Sequence, residues 1–286
     1  MILVAGGTGR LGRMIVDRLV GRGLAVRVLT RDVEHARPLL DDRVEVVAGD
    51  VRDDASLALA LAMAGVEIVV SAVQGFIGPG KVTPSTVDRD GNLRLIAAAR
   101  AVDAEVIMMS VLGAAAASPI ELSRMKFAAE EELRRSGVRS TVIRAAPFLD
   151  TWVEILEATA VRSGRPLVFG RGNNPISFVS VGDVAELVER VVVDPSTRGS
   201  VLQIRGPNDR TLNQLAAAVQ AKAARRGTVR HVPPLALSLT ANTIGRMKPQ
   251  LGRQARMALA MDSGDFTFDS TADGFTGAIA SQPYGR

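Results

Sequence analysis

The 286-residue chain contains no cysteine, which excludes disulfides, a thiolate nucleophile and any zinc site built on sulfur. Histidine occurs only at His35 and His231, too few for a His-rich metal centre and a poor basis for Ser-His-Asp catalysis. Aromatic residues make up 3% of the chain against 47% hydrophobic residues overall, so the core is one of Ala, Val, Leu and Ile. The same scarcity removes the faces on which nucleic-acid bases would stack. No apolar run is long enough to span a bilayer, and the chain opens directly on a strand pattern with no signal-peptide segment. The expected compartment is cytoplasmic, with neither membrane nor nucleic acid as a partner. Lysine is confined to Lys81, Lys126, Lys222 and Lys248. The net charge of +5 and pI near 10.3 come almost entirely from arginine, read as interleaved with Asp and Glu and hence as compositional bias.

What is present is organised around Ile2–Gly12. Four apolar residues run into a turn in which Gly7, Gly9 and Gly12 satisfy G-x-G-x-x-G, and an amphipathic segment follows at once. A strand buried on both faces has this continuous apolar pattern. The glycines permit a tight turn, close approach to a pyrophosphate and close helix–strand contact, with the helix N-terminus aimed at the phosphates. The stretch reads as a dinucleotide site.

Further strands are predicted over Ala25–Leu29, Val44–Val47, Glu67–Ser71, Glu105–Ser110 and Ser140–Arg144. Helices alternate with them over Asp53–Ala64, Pro84–Val102 and from Ser118 to about Gly137. The last begins with Ser118 as N-cap, Pro119 in the first turn and Glu121 closing a capping box. This alternation predicts an α/β fold, a Rossmann-type doubly wound parallel sheet. Residues 1–150 form the dinucleotide-binding core. Residues 151–286 complete it and build a smaller C-terminal substrate lobe over the sheet's C-terminal edge. In that region helices are expected over Leu149–Arg162, Val181–Val193, Leu212–Arg226 and Arg253–Met261, with short strands near Ile176–Val179 and Val201–Ile204. The tail from Ser263, rich in Gly, Ser and Thr, is expected to be partly loose.

Several features recur in order: Gly6-Gly-Thr-Gly-Arg-Leu-Gly12, Gly49-Asp-Val-Arg52, Val87-Asp88 with Gly91-Asn92, Met109-Ser110, Lys126-Phe-Ala-Ala-Glu-Glu131 and Ile143-Arg-Ala-Ala-Pro-Phe148. Together they resemble the atypical short-chain dehydrogenase/reductase superfamily in its NmrA-like, NAD(P)H-binding branch, with isoflavone-reductase-like relatives. The resemblance implies that Gly6, Thr8, Gly9, Arg10, Leu11 and Gly12 surround the pyrophosphate. It implies that Asp50 and Val51 line the adenine pocket and that Ala72 and Val73 face the adenosine ribose. Lys126 then binds the nicotinamide ribose, and Pro147 and Phe148 lie beside the nicotinamide ring.

An acidic residue about 20 positions past the glycine turn suits NAD, whereas arginine there suits the 2′-phosphate of NADP. The second strand closes on Thr30-Arg31-Asp32. Arg31 offers a planar fork matched to phosphate, and Arg10 adds a second charge, so NADP(H) is the expected cofactor. A one-residue shift would instead place the Asp32 carboxylate at that point.

In the superfamily a tyrosine four residues before the lysine donates the proton. Leu122 occupies that position, and the chain's one tyrosine is Tyr284. Lys126 and Ser110 are left as the candidate catalytic residues, the serine holding a substrate carbonyl or a water. The Gln74–Gly80 loop is a candidate cover for the site. Trp152, Phe148, Phe169 and Phe178 are either pocket lining or core. Two functions follow. One is an NADPH-dependent reductase of a small organic substrate, at a polarised C=C or carbonyl group. The other is a non-catalytic NADP(H)-binding redox sensor. The partners expected are a small-molecule substrate and, as the oligomeric option, a second copy in a homodimer.

Overall fold

The structure, a computed structural model, describes residues 1–62, 65–78, 80–161, 164–223 and 227–268. Most of the tail predicted to be loose, with Tyr284, lies outside the described residues. Contacts divide the chain into two units, Met1–Ala145 with Val181–Ile204, and Ala146–Ser180 with the residues from Arg205 onward.

The first unit is built on seven parallel strands. Six are β1 (Ile2–Ala5), β2 (Val26–Thr30), β3 (Glu45–Ala48), β4 (Ile68–Ser71), β5 (Glu105–Val111) and β6 (Ser140–Ala145), and the seventh is Val201–Ile204. Their order is β3-β2-β1-β4-β5-β6 and then Val201–Ile204, so the strand order reverses between β1 and β4. Open α/β sheets bind ligands at such a switch point, beyond the carboxyl ends of the strands. The helices are α1 (Arg10–Gly21), the short α2 (Val33–Ala36), α3 (Asp54–Ala62), α4 (Asp90–Ala101), α5 (Glu121–Ser136) and Val181–Val193. A wide π-type turn, Pro84–Arg89, leads into α4, opened by a capping box between Thr83 and Thr86.

The sheet is covered because its strands are apolar on both faces. Leu57, Leu61, Leu95, Ile96 and Leu133 from α3, α4 and α5 pack with Leu3, Val69, Val106 and Met108 of the strands. Each fully buried aliphatic side chain of this size is worth about 1.5–3 kcal/mol. On α1, Ile15, Val16 and Leu19 are buried, and the helix packs against Val181–Val193. Arg27 interrupts the apolar run of β2 yet is buried. Its guanidinium donates to Glu45 on the neighbouring strand at 2.8 Å and to the Ala60 carbonyl at 2.8 Å.

Of the predicted boundaries that shift, two lie beside the site. Ser118 does not cap α5. Its Oγ accepts from the Ile120 amide at 3.3 Å in a local turn, and the helix begins only at Glu121, with Ile120 at the N-cap. Serine can satisfy nearby amides in a turn as readily as at a helix start, and here the turn wins. The predicted helix over Pro84–Val102 is likewise split into the π-type turn and α4.

The second unit holds helices Leu149–Ala160, Leu212–Lys222, Pro234–Leu239 and Pro249–Ser263 with two small sheets. Strand Leu167–Phe169 pairs in parallel with Arg230–Val232, and Ile176–Ser177 pairs antiparallel with Asp209–Arg210. Its core joins Val153, Leu156, Val168, Phe178, Leu215 and Met261, with Trp152 packed against it. Phe178 is thus core. Among the described residues no helix is long and apolar enough to cross a membrane.

Candidate functional site

At the switch point three backbone segments close on one another. Gly6 has φ +85°, and a Cβ there would lie 2.7 Å from the Ala72 carbonyl oxygen. A Cβ on Gly12 would lie 2.1 Å from the Gly6 oxygen. Only glycine fits either position, because the turn, the start of α1 and the end of β4 are in backbone contact. Gly9 is the N-cap of α1 in extended conformation, with no side-chain cap and no acidic residue in the first turn. The first intrahelical hydrogen bond runs from the Arg13 amide to the Gly9 carbonyl at 2.9 Å. The amides of Leu11 and Gly12 precede it, at the positive end of the helix dipole. Such a cradle fits a pyrophosphate.

Arg31 and Asp32 follow β2 directly, and their roles separate. Asp32 is the N-cap of α2, its Oδ1 accepting from the His35 amide at 2.9 Å. The Arg31 guanidinium is exposed and has no ion-pair partner among the described residues. The carboxylate is therefore folded back into its own helix while the cation stands at the strand end. Asp50, half-buried after β3, is engaged by Arg52, with Arg52 Nη2 2.5 Å from Oδ2. That hydrogen bond holds the Asp50 carboxyl below its usual range. Val51 is turned into the core, where its side chain fills the space beside Gly91 of α4.

Lys126, on α5, is 3% exposed and Asp88 is fully buried. The lysine Nζ lies 3.0 Å from Asp88 Oδ1 and donates to the Val73 carbonyl at 2.9 Å. Asp88 Oδ2 accepts from the Gly75 amide at 2.8 Å. Burial pushes the Asp88 carboxyl up, opposed by the lysine charge and the Gly75 amide. Asn92 completes the group by donating to the Asp88 carbonyl at 2.7 Å and meeting Ser71 Oγ at 2.6 Å. The loop from Gln74 is consequently pinned near its start. A Cβ on Gly75 would also lie 2.3 Å from the Thr83 oxygen, so the two ends of the loop touch.

One turn along α5, Glu130 accepts a hydrogen bond from Ser110 Oγ and pairs with Arg144 of β6 at 2.5 Å. The Ser110 proton is directed to a side chain, leaving the oxygen's lone pairs as its open function.

Residues 1–260 match the NmrA-like family. The chain belongs to that family. This NmrA-like chain is 30% identical to NAD(P)H azoreductase of Xenophilus azovorans over 227 residues, covering 79% of the chain and 74% of that protein. It is 26% identical to photosystem II assembly factor Ycf39 of Trieres chinensis over 246 residues, 85% of the chain and 76% of that protein. In fold it is similar to an NADPH-dependent quinone oxidoreductase of Escherichia coli solved with NADPH. The TM-score is 0.78 at 23% identity, covering 94% of the chain and 92% of that structure.

Within the first unit of this NmrA-like protein, the carboxyl ends of the strands gather Gly6, Thr8 to Gly12, Arg31, Asp50, Ala72, Val73, Ser110 and Lys126. Pro147 and Phe148 belong to the second unit, where the Pro147 carbonyl accepts from the Val179 amide at 3.1 Å. Sequence reasoning passed over Asp88, although it lies in a quoted motif, and over Glu130. A carboxylate in a helical stretch reads as a solvated charge, and only the fold reveals that both are buried against cations. Arg13 was also passed over. Its Nε is buried without a hydrogen-bond partner, in the first turn and a half of α1.

Proposed function

We propose that the chain is an NADPH-dependent reductase of a small organic substrate carrying a polarised double bond. The observation that carries this reading is the Lys126–Asp88 pair, buried beside Val73 at the end of β4 and next to the strand that bears the glycine turn. A charged pair so fully withdrawn from water is costly unless further hydrogen bonds support it, and here Val73 and Gly75 each supply one. Lysine that holds a proton in such a place has the chemistry of a general acid.

In this reading the glycine turn and the α1 amides hold the pyrophosphate, and Arg31 recognises the 2′-phosphate, since Asp32 is occupied as a helix cap. Bound nicotinamide supplies hydride. Lys126 orients the ribose side of the cofactor and delivers the proton to the substrate, with Asp88 holding the ammonium in place. Ser110 accepts a hydrogen bond from a water that carries the proton onward; its own proton is directed to Glu130. The azoreductase and quinone-oxidoreductase relatives support N=N, C=C and C=O acceptors as the substrate classes to try.

The test is NADPH oxidation, followed at the nicotinamide absorbance, against quinones, azo compounds, enones and simple carbonyls, with Lys126→Ala beside the native chain. Turnover that falls at least about a hundredfold in the variant while NADPH still binds supports the reading. Leu122 in place of the superfamily tyrosine favours a second reading, a non-catalytic NADP(H) sensor, as does the assembly-factor relative. Tight binding with unequal affinity for NADP and NADPH, and no turnover on any acceptor, selects that reading instead.

A further inference from the structure

The interleaving of arginine with acidic residues fails in one place. From Arg210 to Met261 the chain has no Asp or Glu, while it carries Arg210, Lys222, Arg225, Arg226, Arg230, Arg246, Lys248, Arg253 and Arg256. The stretch also contains no Phe, Tyr or Trp. It lies wholly within the second unit. In its midst Arg253 is only 7% exposed, and its Nε is buried without a hydrogen-bond partner. Among the described residues its guanidinium has no ion pair. The helix that carries it, Pro249–Ser263, packs against Pro234–Leu239, Thr240–Ile244 and Gly245–Met247. None of those segments contains a carboxylate. The nearest acid on the same helix, Asp262, is occupied: it accepts from the Arg171 amide at 2.7 Å and the Gly172 amide at 3.0 Å, and pairs with Arg171 Nε at 3.0 Å.

A guanidinium keeps its charge throughout a protein's working range, so it cannot relieve burial by losing a proton. An unpaired buried charge costs several kcal/mol. Among the described residues no oxygen of the chain meets the Arg253 Nε, which leaves that donor for a bound anion. The excess of cationic over acidic side chains along this stretch would raise the local concentration of anions and disfavour cations. We propose that Arg253 anchors an oxyanion-binding site in the second unit, taking the carboxylate or sulfonate of a small organic anion through its planar fork. Nucleic acid is disfavoured because the stretch has no aromatic side chain for stacking. As a statement about binding, the proposal does not depend on the reductase reading.

The test uses the full chain, with benzoate, benzenesulfonate, neutral benzamide and inorganic sulfate titrated calorimetrically at fixed ionic strength. Benzoate or benzenesulfonate should bind at least tenfold more tightly than benzamide. Arg253→Met should abolish that preference, and Arg253→Lys, which keeps charge but not the fork, should weaken it about tenfold. Sulfate binding as tightly as the aryl anions assigns the site to inorganic oxyanions, and weaker sulfate binding assigns it to organic ones. Without ligand, Arg253→Met should melt higher than the native chain, because an unpaired charge has been replaced by an apolar side chain. If it fails to fold, Arg253→Gln provides the same comparison. Equal binding of benzamide and benzoate by the native chain overturns the proposal. So does a preference for oxyanions that survives both neutral substitutions.

Discussion

Lys126 Nζ lies 3.0 Å from Asp88 Oδ1, with both side chains almost wholly withdrawn from water. The pair joins α5 to the π-type turn ahead of α4, and through the Val73 carbonyl to the end of β4. Wide turns of this kind often sit at functional sites. Here the turn carries Asp88.

Removing one partner leaves the other buried and unpaired. Asp88→Asn and Lys126→Met should each destabilise the chain by about 3–5 kcal/mol in urea denaturation. The double variant should lose less than the sum of the two, by on the order of 1–3 kcal/mol. Strict additivity would mean that the two groups do not interact.

The glycines of the turn differ in what a methyl group would meet. At Gly12 it would collide with the Gly6 oxygen at 2.1 Å, whereas at Gly9 its nearest neighbour is the same oxygen at 3.3 Å. Gly12→Ala should cost about 2 kcal/mol or more and lose NADPH-induced thermal stabilisation. Gly9→Ala should cost clearly less. Melting curves with and without NADPH separate the two, and equal penalties would refute the backbone-contact explanation.

Arg31 and Asp32 are adjacent but predict different outcomes. Arg31→Ala should weaken NADPH binding by at least about tenfold, roughly 1.4 kcal/mol, with little effect on NADH. Asp32→Ala should instead remove a helix cap, costing about 1 kcal/mol of stability while leaving the NADPH-to-NADH ratio unchanged. Fluorescence titration with both cofactors decides, and a ratio that moves with Asp32 would return the ribose-reading role to the carboxylate.

Glu189 fastens the Val181–Val193 helix to α1, accepting from Arg18 and Arg22 at 2.5 Å each. Burial alone would raise its carboxyl, but the two arginine hydrogen bonds outweigh burial and hold it below its usual range. A carboxylate lowered in this way adds stability above its unfolded pKa, near 4.3, and loses it as pH falls through the folded value. Glu189→Gln should therefore cost about 1–2 kcal/mol at pH 7 and less at pH 3. Denaturant titrations at the two pH values measure the difference.

The parallel sheet was readable because each strand is a short apolar run closed by a turn signal, and that pattern survives without knowledge of contacts. The glycine turn was readable for the same local reason. Arg27 shows where such reading stops: its place in an apolar run became intelligible only through Glu45 on the adjacent strand. Asp88 and Glu130 carry the same lesson into the site. Their burial depends on partners 38 and 14 residues away, Lys126 and Arg144, and no periodicity encodes that. Ser118 failed in the opposite direction, its local signal serving a turn rather than a helix. The residues from Pro234 to Met247 had no amphipathic stripe to announce them, since Leu235, Leu239 and Met247 are largely exposed.

Lys126 and Glu130 stand one helical turn apart on α5 and face different strands, the first reaching the end of β4 and the second Ser110 of β5 and Arg144 of β6. The helix is thereby riveted at two points across three neighbouring strands. Sliding it along its axis, or tilting one end, strains both rivets together, so a displacement that begins at the β4 end is felt at β6. In mechanical terms α5 is a stiff lever, and a ligand that pulls the lysine away from Asp88 loads the serine and the arginine as well.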